Sequence, residues 1–240
     1  MTEFIEAFKN TSYYKTLIGS AEIVCIYIGG SMCCGITDER SDYDLVILTL
    51  DNEYIDASKY EYLRYKDKKV HWYYRPIEHI VRLDTKDMKA AIGTVILKGF
   101  RDECIIYKNP KYIDVIDNLY DTKDDISDLG ARHLFEIKKE YIDDILAEGK
   151  ILEKHYSKHL YQLCLASYYL LHNDPDKDFL ISLKRIRWQP VSDEYKKLAV
   201  DRLKIYKDYI ENNPIDFETC LKVLYSKFGL DWEYEKELEQ

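Results

Sequence analysis

Two short stretches of the 240-residue sequence hold residue types whose spacing suits joint chemistry. The first is Gly29-Gly30-Ser31, with a further glycine at Gly35; the second, a little downstream, is Ser41-Asp42-Tyr43-Asp44. A strand that stops at Gly-Gly and turns into a helix lets backbone come close to a ligand. It also aims free N–H groups outward, which favours phosphate. Ser31 adds a hydroxyl donor at the helix start. Asp42 and Asp44 are two apart on an extended segment, so both face one side of a sheet. Two carboxylates with no cation evident beside them repel unless something positive lies between. Hard divalent cations take oxygen ligands, so a pair of magnesium ions is the natural answer. Taken singly, the glycines read as a plain strand-to-helix turn and the aspartates as a solvated strand end. Taken together they describe a nucleoside-triphosphate site.

Such a site needs strands to hold it. Glu22–Ile28 is a continuous β-branched and aromatic run, the pattern of a strand buried on both faces. Asp42–Leu50 reads as a second strand, and Lys69–Arg75 alternates as a third that stops at Pro76. Phe4, Ile5, Phe8 and Leu17 give residues 2–18 the spacing of one amphipathic helix. Residues 77–88 and 88–100 read as helices, Cys104–Tyr107 as a short strand, and Pro110 as the opening of another helix. Beyond Asp121 helices are expected over 126–148, 151–172, 177–187, 191–211 and 215–229, with stops at Gly149, Asn173-Asp174-Pro175, Pro190 and Asn212-Asn213-Pro214. Residues 231–240 read as a frayed tail. The expected fold class is α+β: a small mixed sheet with flanking helices over residues 1–120, then an all-helical unit over 121–240. No long linker marks the boundary.

Composition bounds the rest. Hydrophobic residues at 46% and charged residues at 33% support a sizeable core and exclude wholesale disorder. Only 9 Gly and 5 Pro exclude a fibrous or low-complexity chain. The longest apolar run, Ile23–Ile28, falls far short of the roughly 18 residues of a membrane span. The acidic N-terminus lacks the order of a signal peptide. The six cysteines contain no C-x-x-C pair, so neither zinc nor a disulfide framework is expected, and a cytoplasmic protein with reduced thiols is. The net charge of −9 divides into −6 over residues 1–130, +2 over 131–210 and −5 over 211–240. An acidic chain repels polyanions at long range, which disfavours a nucleic-acid coat protein and leaves the middle region for any cationic channel.

The Gly-Gly-Ser turn, the Ser-Asp-x-Asp strand after it and the apolar Leu45-Val46-Ile47-Leu48 resemble the active-site signature of the DNA-polymerase-β-like nucleotidyltransferase superfamily. More loosely, Ser31 with Gly35, a third strand before two helices, Cys104-Ile105-Ile106-Tyr107 and Lys158-His159-Leu160-Tyr161 resemble its RNA-repair-pathway branch. The resemblance covers residues 20–110 best. It implies transfer of NMP from an NTP to an acceptor hydroxyl by two-metal catalysis with Mg2+ or Mn2+. By it, Asp42 and Asp44 ligate metal and are catalytic. By it, too, Gly29, Gly30, Ser31 and Ser41 bind the nucleotide, with Gly30 and Ser31 holding the β,γ-phosphates. The superfamily commonly has a third carboxylate on the next strand, and here the sequence departs. Val70-His71-Trp72-Tyr73-Tyr74 offers none, and His71 stands about where it is expected. Three outcomes stay open: His71 fills the third role or acts as general base, a carboxylate such as Glu78 or Asp84 reaches in, or activity is weak or lost.

The resemblance makes an RNA 3′ end the first acceptor, with a small molecule or a protein side chain as alternatives. A non-catalytic nucleotide sensor competes, as does an RNA-binding helical module. Two cationic clusters suit RNA or a triphosphate tail: Lys66, Lys68 and Lys69, and Lys184, Arg185 and Arg187 beside Trp188. Solvated faces explain both equally well. His155 and His159, i,i+4 on an expected helix beside Lys154 and Lys158, read as structural, with a phosphate grip as a secondary idea. Cys33 and Cys34 lie at the start of the expected phosphate-binding helix, where a thiol pKa can fall.

Overall fold

A computed structural model describes residues 1–19, 22–50, 64–82, 88–156, 158–186 and 188–230. The fold is α+β. Two compact units are distinguished, one made of residues 1–82, 99–123 and 221–240, the other of 83–98 and 124–220.

The first unit is built on a five-stranded mixed sheet: β1 (Ile23–Ile28), β2 (Tyr43–Thr49), β3 (Arg64–Tyr65), β4 (Lys68–Pro76) and β5 (Ile105–Lys108), in the order β3-β4-β2-β1-β5. β2 is antiparallel to β1 and parallel to β4, in a register that sets Asp44 beside His71. A hairpin joins β3 to β4 through Lys66 and Asp67, both at positive φ. β1 is buried at every position, as its unbroken apolar run predicts.

The period of two sorts the strands into faces. Tyr43, Leu45 and Ile47 of β2, with Val70 of β4, join one cluster with Phe4, Phe8, Tyr13 and Leu17; Trp72 and Tyr74 of β4 pack against it. That face is covered by α1 (Thr2–Lys9) and α2 (Ser12–Ile18). The single helix expected over 2–18 is two, because Thr11 intervenes. Its hydroxyl donates to Phe8 O at 2.7 Å and accepts from the Tyr14 amide at 3.1 Å, ending one helix and capping the next. The opposite face therefore receives Asp42, Asp44, His71, Tyr73 and Arg75.

Between β1 and β2 the chain makes the short helix α3 (Gly30–Cys33) and a loop. The expected helices after β4 begin as α4 (Ile77–Arg82) and α5 (Met88–Val95). α6 (Ile113–Ile137) runs straight through the region where a new helix is expected only from about 126. Asp121, Asp124 and Asp125 are exposed while Thr122 and Ile126 are buried, so the acidic run is one solvated turn of a continuing helix. Its residues up to Lys123 belong to the first unit and the rest to the second.

The second unit continues with α7 (Lys139–Glu148), α8 (Lys158–Leu170), α9 (Lys177–Lys184) and α10 (Asp193–Asn212). α10 packs on α7, α8 and α9. The Phe135 and Tyr206 rings meet edge to face at 5.5 Å, and the Tyr206 hydroxyl donates to Ala131 O. α11 (Phe217–Phe228) ends in the first unit, where Asn118 Nδ2 donates to Lys227 O. Among the described residues no helix is long and apolar enough to cross a membrane.

Candidate active site

Gly29 ends β1 and Gly30 opens α3 at φ +60°, a left-handed conformation that strains any residue with a Cβ. The Gly29 amide donates to Asp44 O at 2.7 Å, which ties the turn to β2. A Cβ on Gly30 would stand 1.9 Å from Asp44 Oδ2. The carboxylate thus occupies the space a side chain at Gly30 would take, and glycine is the residue that allows it. The amides of Gly30, Ser31 and Met32 open α3 and have no acceptor within it.

Asp42 precedes β2 and Asp44 lies on it, both half-exposed. His71 Nε2 lies 3.3 Å from Asp42 Oδ2. Tyr73, one step along the same face of β4, hydrogen-bonds the Asp44 carboxylate. Burial, then the neighbouring Asp44 charge and its hydrogen bond, push the Tyr73 phenol up to about 12. Arg75, a further step on, opposes that shift and acts on Tyr27 of β1 in the same sense. The structure therefore brings Gly29, Gly30, Asp42, Asp44 and His71 together. It adds two groups missed in the sequence, Tyr73 and Arg75. The same period-two rule that pairs Asp42 with Asp44 was the signal for them, since residues 71, 73 and 75 share a face of one strand.

Ser41 sits differently. Its side chain is only 2% exposed, and its hydroxyl donates to Asp38 Oδ1 at 2.9 Å while accepting from the Asp38 amide at 2.8 Å. It closes the loop before β2 and fixes where Asp42 begins. Glu78 lies on α4, past the C-terminal end of β4, whereas Asp42, Asp44 and His71 cluster at the opposite ends of the parallel pair. Five residues of strand, roughly 16 Å, separate His71 from Pro76. Asp84 lies outside the described residues.

No protein-family model matches the chain, and no curated protein does. Among solved structures the chain is similar to a nucleotidyltransferase-like protein from Exiguobacterium sibiricum 255-15. The identity is 13% and the TM-score 0.29, over 84% of this chain and 74% of that one.

Among the described residues no group of three or more His, Cys, Asp or Glu side chains is gathered closely enough to hold a metal ion. Two carboxylates are nonetheless the donor set that magnesium takes when it keeps water and phosphate oxygens as its other ligands. With Asp44 Oδ2 against the side-chain-free Gly30, the residues fit a cation that keeps ligands from outside the protein rather than an all-protein cage.

The cationic clusters belong to different units. Lys66 pairs with Glu3, and Lys68 Nζ donates to Asp38 O at 3.3 Å, while Lys69 is exposed. Lys184 ends α9, Arg185 caps it and Trp188 is 60% exposed; Arg187 lies outside the described residues. The expected His155–His159 helix pair is absent. His155 lies in a 3-10 turn over Glu153–His155, before α8 begins at Lys158. Its Nδ1 accepts the Leu152 amide at 3.2 Å, and Lys154 pairs with Glu148 at 2.8 Å, which makes these residues structural. Cys33 also departs from expectation: a hydrogen bond to Cys104, and then burial, push its pKa up, not down.

Proposed function

We propose that this protein is a nucleotidyltransferase, moving NMP from an NTP to an acceptor hydroxyl, with an RNA 3′ end as the favoured acceptor. One observation carries the reading: the Asp44 carboxylate stands against a left-handed glycine turn whose leading amides have no helical acceptor.

In this reading the amides of Gly30 and Ser31, with the Ser31 hydroxyl, bind the β,γ-phosphate oxygens, and Gly29 holds the turn to β2. Asp42 and Asp44 would hold Mg2+ or Mn2+, which when bound neutralises phosphate charge and lowers the pKa of the acceptor hydroxyl. Tyr73 orients the Asp44 carboxylate by donating to it. His71 can donate Nε2–H to Asp42, which leaves Nδ1 as the ring's acceptor for the hydroxyl proton. Ser41 supports the site through the loop. Lys184 and Arg185 with Trp188, and Lys66, Lys68 and Lys69, remain candidate RNA contacts.

A second reading, a nucleotide sensor without turnover, is favoured by one observation: two carboxylates and an imidazole stand where the resembled superfamily has three carboxylates. One experiment separates the two. The protein is incubated with each α-labelled NTP, Mg2+ or Mn2+, and total RNA or lysate, beside the Asp42→Asn/Asp44→Asn double variant. Label entering a macromolecule only with the unaltered protein supports transfer and names the acceptor. NTP binding with Ca2+ and with Mg2+, but no pyrophosphate release, supports the sensor. Equal labelling by both proteins removes the site.

A further inference from the structure

Cys33 and Cys104 are distant in sequence but meet around Gly99 in the first unit. Cys33 closes α3, and Cys104 ends a 3-10 turn, Asp102–Cys104, that leads into β5. A Cβ on Gly99 would stand 2.7 Å from Cys33 O and 2.9 Å from Cys33 Sγ, so only glycine admits Cys33 there. Cys104 Sγ lies 3.9 Å from Gly99 O. The two thiols are hydrogen-bonded to each other, and Arg101 reaches both residues. Its Nη2 donates to Cys33 O at 3.4 Å, and its guanidinium bonds the Cys104 sulfur. Both residues are buried.

The sulfurs are electronically unlike. The hydrogen bond from Cys33, and then Arg101, lower the Cys104 thiol against the effect of burial. The same hydrogen bond and burial raise Cys33. Cys104 is therefore the readier of the two to act as the thiolate nucleophile, and Cys33 is its hydrogen-bond partner. Elsewhere Cys25 and Cys164 are held as neutral thiols, pushed up by burial to about 12.

We propose that Cys33 and Cys104 are a reversible dithiol–disulfide pair, oxidised by hydrogen peroxide, that ties α3 and its Gly30–Ser31 turn to the segment before β5. Peroxide is close to water in size, which suits a buried pair better than any bulky disulfide oxidant. The Cys104 thiolate attacks one peroxide oxygen, the O–O bond breaks, and the departing hydroxide takes a proton to become water. Cys33 sulfur then attacks the Cys104 sulfenic acid. The S–O bond breaks, and the leaving hydroxide takes the Cys33 proton as a second water. Two thiols lose two electrons, and one peroxide becomes two waters. The bond does not depend on the nucleotide reading. Its effect on the turn does, because Ser31 lies two residues before Cys33.

The test treats the reduced, folded protein with one equivalent of hydrogen peroxide. Intact mass should fall by two hydrogen atoms. A non-reducing digest should contain a peptide joining Cys33 to Cys104 that dithiothreitol separates, and Cys33→Ser and Cys104→Ser should each abolish the loss. No reaction, oxygen addition alone, or a link through other cysteines overturns the proposal, and the unaltered protein suffices to show each. NTP affinity of the oxidised form should differ from the reduced form by about fivefold or more. A disulfide with unchanged affinity overturns the tie to the turn. If neither form binds any NTP, the nucleotide reading fails, while the mass result still supports the bond.

Discussion

The Asp44 carboxylate lies in the space that a side chain on Gly30 would need, with Oδ2 at 1.9 Å and Cγ at 2.8 Å from the position of a Cβ. Gly30→Ala therefore pays twice, once for φ +60° and once for displacing Asp44. Gly149, at φ +64° with nothing within 4 Å of its Cβ position, pays only the first. Gly149→Ala should lose about 1–2 kcal/mol in urea unfolding. Gly30→Ala should lose more, and should lose NTP binding as well. Equal losses would show that Gly30 and Asp44 are not in contact.

Phe4 of α1 stacks on Tyr43, the residue between the two aspartates, with ring centroids 3.9 Å apart. Both rings are buried. Phe4→Ala should cost about 3–5 kcal/mol in urea unfolding, and Phe4→Leu clearly less. Because Tyr43 fixes where Asp42 and Asp44 leave the strand, NTP affinity should fall in Phe4→Ala under conditions where the protein remains folded. Unchanged affinity would uncouple the helix from the site.

Tyr73 predicts a specific pH dependence. An unfolded phenol ionises near pH 10, whereas this one is pushed up to about 12. Between those values the folded chain holds more protons than the unfolded chain, so stability falls as pH rises. Tyr73→Phe removes that contribution, and its unfolding free energy should fall less steeply from pH 10 to 12 than that of the unaltered protein. Near neutral pH the variant loses the donor to Asp44, a loss of about 1 kcal/mol. That should appear as about fivefold weaker Mg2+-supported NTP binding. Identical slopes in the two proteins would show that neither burial nor Asp44 holds the Tyr73 phenol up.

What was legible in the sequence follows the reach of each physical rule. Asp42 and Asp44 share a face because side chains alternate along any strand, and the buried run of β1 reads from residue type alone. His71 stands where a carboxylate is expected; Tyr73 and Arg75 share its face by the same alternation, but a phenol and a guanidinium lie outside a carboxylate pattern. The break at Thr11 turns on a hydroxyl choosing between two backbone partners, and residue spacing does not encode that choice. Asp121–Asp125 resembles a loop in composition, yet in α6 it is one exposed turn. Ser41 looks like a phosphate ligand beside Asp42 until the loop geometry turns its hydroxyl to Asp38. The meeting of Cys33 with Cys104 depends on how the segment at Gly99 passes α3, a long-range contact with no local signal.

His71 offers the sharpest division between transferase and sensor. It pairs with Asp44 in the β2–β4 register and lies 3.3 Å from Asp42, so a replacement there stands on the same face as both carboxylates. If the ring takes the acceptor's proton, His71→Ala should lower turnover by about 10²–10⁴-fold with NTP affinity little changed. His71→Asp sets a third carboxylate against two others. Without metal their repulsion should lower the melting temperature below that of His71→Ala. With Mg2+ the order should reverse, because the cation is attracted more strongly to three carboxylates than to two. A larger Mg2+-induced thermal shift in His71→Asp than in the unaltered protein supports a cation held at Asp42 and Asp44. No difference among the three proteins, in shift or in turnover, would mean that these two aspartates do not face a shared ion.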